Sequence, residues 1–331
     1  MESWKKMIII ASAITVLIIA GTTVYFQYFA KRRLMISTTT SLYHTGLLDA
    51  IEKIFEKKYP IDLNFIPVGT GIAIQHAKNG DVDLILVHSP TLEKFFLEEG
   101  FGVCRKIVAY NFFAIIGPET NPAGINGTSP TEALKRIVEY GRDKKVRVWV
   151  SRGDNSGTHW KERSLWQMAG YNWTELSKES WYVDAGSDMG STLMKTEYFS
   201  AYTLTDMGTY VAYYTQMRLV KLKPLVTQGQ ELLNVYSVIV VNKARHPRVN
   251  FEDAINFTKF LISAEGQQLI ENYSKDEYGQ SLFHSAVELL NEDPTSQIAQ
   301  WIRDYAFFNR SECPPEYRDN HPELYGERNL N

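Results

Sequence analysis

The sequence is poor in cysteine. Its 331 residues include only Cys104 and Cys313. Two thiols are too few for a disulfide framework or for a zinc site built on several thiolates. They could form one disulfide bond or remain free, and the sequence leaves both states open.

The chain also lacks an excess of positive charge. It carries 35 Lys and Arg residues against 38 Asp and Glu residues, for a net charge of -3. Its basic residues are scattered, whereas a protein that binds nucleic acid concentrates them on one face. We therefore expect no nucleic-acid partner. A hydrophobic content of 44% is ordinary for a globular protein and excludes a disordered chain.

Nucleotide-binding motifs are missing as well. No lysine of the Walker type follows the glycine-containing loop that ends at Gly71, and no Gly-x-Gly-x-x-Gly fingerprint occurs in the sequence. Both motifs place backbone amides around phosphate groups. Their absence argues against a nucleotide as ligand.

Charge is absent from one long segment near the N-terminus. Residues 7–29 contain no charged side chain and approach the ~20 apolar residues that span a bilayer. A signal peptide has a shorter apolar region and ends in a small-x-small site, whereas Tyr28 lies two positions before Ala30. We predict a membrane anchor or uncleaved signal over residues 1–33. A cleaved signal, which would leave a secreted or periplasmic protein, is the alternative.

Three loops rich in hydroxyl groups or glycine each follow a short apolar run and precede a segment with helical spacing. They comprise residues 38–41 (TTTS), 68–71 (VGTG) and 151–159 (SRGDNSGTH). The carboxyl ends of parallel strands meet at one edge of a sheet, so we expect the loops to share a ligand. Hydroxyls, helix-terminal amides and the guanidinium of Arg152 suit an anion. Taken singly, each loop could be only a capped turn.

The rest of the chain predicts a second lobe and a return to the first. Apolar runs at 112–116 and 233–241 are predicted as strands that cross between lobes. Residues 251–273 predict a helix interrupted near Ser263, which packs on the first lobe. Three tryptophans near the third loop are predicted to be core residues, namely Trp149, Trp160 and Trp166. Residues 312–331 are polar and contain proline, so we expect them to be loose.

These motifs, in this order, resemble those of the tungstate-binding proteins of ABC importers. The resemblance runs from about Leu34 to about Leu290. Besides the three loops, it rests on GLLD at 46–49, GDVD at 80–83, VH at 87–88, NPAG at 121–124, YTL at 202–204 and NVY at 234–236. Met207 departs from the pattern, because a basic residue is common there. The chain after Asn291 looks extra.

The resemblance implies an α/β, two-lobed periplasmic-binding-protein (type II) fold with a ligand cleft between the lobes. To this we add the predicted N-terminal transmembrane helix. The expected divisions are an anchor at 1–33, a first lobe from 34–111 with 238–290, a second lobe from 112–237, and a C-terminal extension at 291–331.

The resemblance also implies a solute-binding role on the extracytoplasmic side of the membrane, without catalysis. The protein would capture a tetrahedral oxyanion, tungstate before molybdate, and deliver it to ABC permease and ATPase subunits. No cofactor and no metal cation is expected. The implied ligand-binding residues are Thr39, Thr40, Ser41, Thr70, Gly71, Arg152, Ser156 and Thr158. Asp154 fits better as a cap or as a partner of Arg152, since a carboxylate repels an anion. His88 and His159 could support the site or belong to the core.

Alternatives remain open at this stage. Hydroxyl and amide donors do not rank molybdate, sulfate, phosphate and tungstate by themselves. A hydrolase could use Asp154, Ser156 and His159, but three groups on one turn could hardly align as a triad. The tripeptide at 152–154 has an integrin-type sequence, yet its place between buried elements disfavours adhesion.

Overall fold

The computed structural model describes residues 31–215, 219–279 and 281–326, together with residues 4, 7, 11–12, 14–16 and 18. The predicted anchor over residues 1–33 therefore lies mostly outside the described residues. Within the described part of the chain, no helix is both long enough and apolar enough to cross a bilayer.

In the described part of the chain, ten strands form the framework. They are β1 (Arg32–Thr39), β2 (Ile61–Val68), β3 (Leu84–Val87), β4 (Gly102–Pro118), β5 (Trp149–Ser151), β6 (Tyr182–Asp184), β7 (Thr203–Asp206), β8 (Leu222–Val226), β9 (Leu233–Val241) and β10 (His284–Ser285). The larger sheet has the order β10-β4-β9-β3-β1-β2, with β7 and β8 also paired to β4. Strands β5 and β6 form a separate parallel pair.

The helices follow or connect these strands. They are α1 (Thr40–His44), α2 (Leu47–Lys58), α3 (Thr70–Asn79), α4 (Pro90–Glu98), α5 (Pro130–Lys144), α6 (Gly157–Met168), α7 (Trp173–Leu176), α8 (Met189–Phe199), α9 (Met207–Thr215), α10 (Phe251–Ile262), α11 (Ala264–Asn272), α12 (Lys275–Tyr278), α13 (Ala286–Glu292) and α14 (Gln297–Ala306). Short 3-10 turns occur at Gln230–Leu232, Pro315–Tyr317 and Pro322–Tyr325.

Helix α2 shows how the sequence sets a local structure. Leu47, Leu48, Ile51 and Phe55 recur at helical spacing and are all buried. This apolar stripe packs against the sheet, while the charged residues between its members face solvent. The helix ends at Tyr59, before a proline that cannot continue it.

The sheet is mixed, which corrects the expectation of a parallel sheet. Strand β1 pairs in parallel with β2 and β3, whereas β9 runs antiparallel to both β3 and β4. The reason is that β4 and β9 connect the two lobes in opposite directions. In this antiparallel pair Asn111 lies opposite Asn234. A separate core around Trp149, Trp166 and Trp181 fills the second lobe.

Two details near the C-terminus bear on earlier expectations. The interruption of the helix near Ser263 is confirmed, because α10 ends and α11 begins there. The expectation of a loose tail is wrong for residues 312–326. Cys313 and Leu324 are buried, and the Glu312 carboxylate binds the Lys106 ammonium on β4. Further contacts to the body of the protein run from Tyr325 OH to the Arg105 carbonyl and between Lys259 and Glu323.

The remaining core predictions are mostly correct. Trp149 and Trp166 are buried, but Trp160 is 41% exposed, so its assignment to the core is wrong. It occupies the solvent side of α6, where its ring packs with the guanidinium of Arg163. Cys104 and Cys313 are both free and buried.

Candidate functional site

The three loops converge at one edge of the structure, as the sequence predicts. A methyl group built on Gly69 would lie 3.7 Å from Cα of Ser156, and one built on Gly71 would lie 3.9 Å from the Asn155 carbonyl oxygen. Arg152 Nη2 donates a 2.9 Å hydrogen bond to Thr40 Oγ1. These contacts bring the loops after β1, β2 and β5 into a single cradle.

Arg152 lies at the centre of this cradle and is buried. Its Nε donates to Asp154 Oδ2 at 2.8 Å, while Asp154 Oδ1 accepts from the Ser156 amide at 3.1 Å. The interpretation of Asp154 as a partner of Arg152 is therefore confirmed. Because both of its oxygens are engaged, the carboxylate holds the loop and offsets part of the arginine charge.

Two threonine hydroxyls in the cradle lack partners. Thr70 Oγ1, at the start of α3, and Thr158 Oγ1, in the first turn of α6, are buried and form no hydrogen bond within the part of the chain that the structure describes. A buried hydroxyl without a partner is uncommon and costs free energy. Two such groups in facing loops mark a place where a ligand with acceptor oxygens fits.

Two of the other predicted hydroxyls, those of Thr39 and Ser156, cap helices. Thr39 Oγ1 accepts from the Leu42 amide at 3.3 Å and lies 3.3 Å from Ser41 Oγ. Ser156 Oγ accepts from the His159 amide at 3.3 Å. These side chains define the N-termini of α1 and α6, so their capping role is established by the geometry.

Helix termini add positive potential. Helices α1, α3 and α6 begin in the three loops, and none of the three carries an acidic residue in its first turn. Helix α3 begins at Gly69 without a side-chain cap. Free amides and helix dipoles at such termini favour an anion. The cradle therefore combines one guanidinium, hydroxyl donors and amide donors.

His88 and His159 are buried and support the loops rather than face solvent. Burial lowers the pKa of His88 to about 4, so the ring is neutral near pH 7. Its Nδ1 lies 2.8 Å from Asn234 Oδ1, and a methyl group on Gly157 would lie 2.9 Å from the ring. His159 is also buried, and its Nδ1 accepts from the Asn155 amide at 3.0 Å. Burial, followed by the nearby Arg163 charge, lowers its pKa to about 4.

A catalytic arrangement is absent from this loop. The contact between Ser156 and His159 joins the serine hydroxyl to the histidine amide, while the imidazole binds the Asn155 amide. A nucleophile needs the imidazole itself as base. Among the described residues, no group of three or more His, Cys, Asp or Glu could hold a metal ion.

Glu162 supports the loop that begins at Ser151, although the sequence analysis assigned it no role in the site. This buried carboxylate accepts hydrogen bonds from Trp149 Nε1 at 2.8 Å, Trp166 Nε1 at 3.1 Å, Tyr182 OH at 2.6 Å and Ser151 Oγ at 2.8 Å. Burial raises its pKa. The nearby tryptophans, which need acceptors for their indole N–H groups, were the available signal.

Comparison with known proteins agrees with this fold. The sequence model of the PBP superfamily domain matches residues 21–265. The chain belongs to the PBP superfamily.

Several members of this superfamily are close in sequence. The chain is 40% identical over 276 residues to a putative ABC transporter anion-binding protein from Haloferax volcanii, covering 82% of this chain and 76% of that protein. It is 37% identical over 257 residues to the tungstate-binding protein TupA from Peptoclostridium acidaminophilum, covering 77% of this chain and 86% of that protein. The chain thus falls in the same family as the TupA proteins.

Solved structures support the same placement within the superfamily. The tungstate-binding protein TupA from Desulfovibrio alaskensis G20 has a TM-score of 0.66 and 41% identity, covering 77% of this chain and 98% of that one. The tungstate ABC transporter structure from Geobacter sulfurreducens has a TM-score of 0.66 and 41% identity, covering 74% of this chain and 100% of that one. The two-lobed α/β architecture is therefore that of the PBP superfamily.

Proposed function

We propose that this protein is the solute-binding component of an ABC importer and that it captures a tetrahedral oxyanion, tungstate first, between its two lobes. The observation that carries the proposal is the pair of buried, unpartnered hydroxyls of Thr70 and Thr158 beside Arg152. A tetrahedral oxyanion presents several acceptor oxygens to such donors. The names of the TupA relatives and of the Haloferax anion-binding protein support the same ligand class.

The proposed ligand-binding residues are those named from the sequence: Thr39, Thr40, Ser41, Thr70, Gly71, Arg152, Ser156 and Thr158. Thr70 and Thr158 supply free hydroxyls, and Arg152 supplies charge and a planar fork. The backbone amides at the starts of α1, α3 and α6 complete the donor set.

The acceptors around the cradle favour a fully deprotonated dianion over protonated phosphate. Both oxygens of Asp154 are engaged by Arg152 and Ser156. Asp206 is buried and accepts from the amide and hydroxyl of Thr209 at 2.8 and 2.7 Å. A phosphate that keeps a proton needs an acceptor for it, and each of these two carboxylates already accepts two hydrogen bonds from the protein.

Isothermal titration tests the ligand. We recommend a chain that begins at Lys31, because β1 starts at Arg32 and Arg32 Nε lies 2.8 Å from Asp253 Oδ2. Tungstate, molybdate, sulfate and phosphate are titrated in parallel. Tight binding of tungstate is the expected result. No heat with tungstate, alongside tight binding of another oxyanion, would overturn the substrate assignment.

We further propose that the lobes comprise 34–111 with 238–290 and 112–237, with 291–331 as an extension. The pairing of Asn111 with Asn234 and of Phe112 with Leu233 supports a hinge at these strands. Closure on ligand should compact the protein. Small-angle scattering with and without tungstate tests this division, and identical profiles would count against closure.

The N-terminal segment is proposed as an anchor that holds the body on the extracytoplasmic side, where the permease and ATPase complex receives the ligand. The support is its sequence, since residues 7–29 carry no charge. Fractionation of cells expressing the full chain should recover it with membranes. A shorter, soluble form with a new N-terminus would show cleavage instead.

A further inference from the structure

Lys161 is a buried cation one turn along α6 from the cradle. It follows Thr158 by three residues, so the two side chains lie on neighbouring positions of the same helix face. Lys161 is 6% exposed. Its Nζ donates to the Leu233 carbonyl oxygen at 2.8 Å and lies 4.0 Å from the centroid of the Tyr305 ring.

The surroundings of Lys161 contain little negative charge. Within the described part of the chain, no carboxylate forms an ion pair with it, and Glu231 attracts it only from a distance. The groups that share its cleft are the neutral ring of His88, the guanidinium of Arg163 and the phenol of Tyr305. Tyr305 comes from α14, Phe113 from β4 and Leu233 from β9.

A buried ammonium without a counter-ion is costly. Burial lowers the pKa of Lys161 to about 7, and the attraction of Glu231 opposes that shift. The ligand-free protein therefore holds this lysine partly neutral near pH 7. Among the described residues, the surroundings of Lys161 offer no paired negative charge. The proposed ligand is a dianion that would bind at the N-terminus of the same helix, α6.

We infer that Lys161 is a second cation of the oxyanion site, which stabilises the bound dianion through space and takes up a proton from solvent when the anion binds. This inference rests on the proposed function. The proton joins the lone pair of Nζ, and no other bond forms or breaks. The carbonyl of Leu233 and the ring of Tyr305 hold the ammonium in position, so the C-terminal extension contributes to the site.

Calorimetry on the unmodified protein measures the proton directly. Tungstate is titrated at pH 6, 7, 8 and 9 in buffers of low and high ionisation enthalpy. We expect proton uptake of a fraction of one proton per anion near and above pH 7, and little at pH 6. Affinity should fall as pH rises through this range. Intact binding with no proton uptake between pH 6 and 9 would overturn the inference alone.

The variant Lys161→Met removes the charge at similar side-chain length. We expect it to bind tungstate about ten- to a hundredfold more weakly at pH 6, where the native lysine is charged. The two proteins should converge at pH 9, because the native lysine is then neutral. Its ligand-free melting temperature should not fall, since burying the cation costs stability. Lys135→Met, on the exposed face of α5, is the matched control and should match the unmodified protein.

The outcomes separate the two proposals. Equal affinity and equal pH dependence in Lys161→Met and the unmodified protein would remove Lys161 from the site while leaving the oxyanion function intact. Failure of the unmodified protein to bind any of the four oxyanions would remove the proposed function and the inference together.

Discussion

Arg152 and Thr40 lie 112 positions apart in sequence, yet Arg152 Nη2 donates a 2.9 Å hydrogen bond to Thr40 Oγ1. Thr40 opens the first helix after β1, whereas Arg152 follows β5. The bond therefore joins the loop after β1 to the loop after β5, which belong to the two proposed lobes. Since Arg152 also pairs with Asp154, its charge is held in place before any ligand arrives.

Replacement of Arg152 tests how much of the recognition is charge. Arg152→Ala should lower tungstate affinity about ten- to a hundredfold, because charge-assisted bonds contribute about 1.5–3 kcal/mol. Arg152→Lys should recover part of the loss, because lysine keeps the positive charge but lacks the planar guanidinium that donates two parallel hydrogen bonds. Calorimetry measures both. Unchanged affinity in the alanine variant, with a lowered melting temperature, would make Arg152 a structural residue.

Glu162 should be a stability residue rather than a ligand. Glu162→Gln replaces one acceptor oxygen with an NH₂ donor that faces donors from Trp149, Trp166, Tyr182 or Ser151. We expect a loss of about 1–3 kcal/mol for each donor left unpaired, measured by denaturant unfolding. Glu175→Gln, on the exposed side of α7, is the control and should change stability little. Equal stability of the two variants would contradict the assigned role of Glu162.

The sequence predicted the cradle because its signal is local. A strand, a loop of hydroxyls or glycine, and a helix follow each other within a few residues at 38–41, 68–71 and 151–159. The parallel pairing of β1 and β2 brings the first two loops together, whereas the third loop follows β5 of the separate sheet and meets the first through the bond from Arg152 to Thr40. The choice of Arg152 and Thr158 within the third loop came from the resemblance to tungstate-binding proteins and stays a prediction.

The supporting residues were missed because their partners are distant. Lys161 binds a carbonyl 72 positions away, and Glu162 meets Tyr182, 20 positions away. Helical spacing places these two side chains on α6, but it does not show which residues pack against them. The prediction of a loose C-terminal tail was wrong for the same reason. Glu312 binds Lys106 on β4, which lies 206 positions away in sequence.

The stability of the ligand-free protein should depend on pH through Lys161. Its pKa is about 7 when folded, against about 10.4 in an unfolded chain. Between these values the unfolded state binds the proton and the folded state does not, so the free energy of unfolding rises with pH, by at most about 1.4 kcal/mol per unit. Below pH 7 the full cost of the buried charge is present.

Comparison with Lys161→Met isolates that effect from other titrating groups. The stabilisation gained by the methionine variant should be largest at pH 6 and should shrink towards pH 9. Urea unfolding at each pH measures the difference. A difference that stays constant from pH 6 to 9 would mean that the native lysine does not lose its proton in this range.

The two unpartnered hydroxyls give the sharpest separation between binding and stability. Thr70→Val and Thr158→Val each replace a buried hydroxyl that has no partner among the described residues. Their melting temperatures without ligand should stay equal or rise, because an unsatisfied polar group is removed. Their tungstate affinity should fall, by roughly ten- to a hundredfold, because a hydroxyl that donates to a charged oxyanion contributes about 1.5–3 kcal/mol. Thr258→Val is the control: its Oγ1 donates to the Ala254 carbonyl at 2.9 Å, so it should lose stability and keep its affinity. Variants of Thr70 and Thr158 that bind tungstate as tightly as the unmodified protein would show that these hydroxyls do not face the ligand.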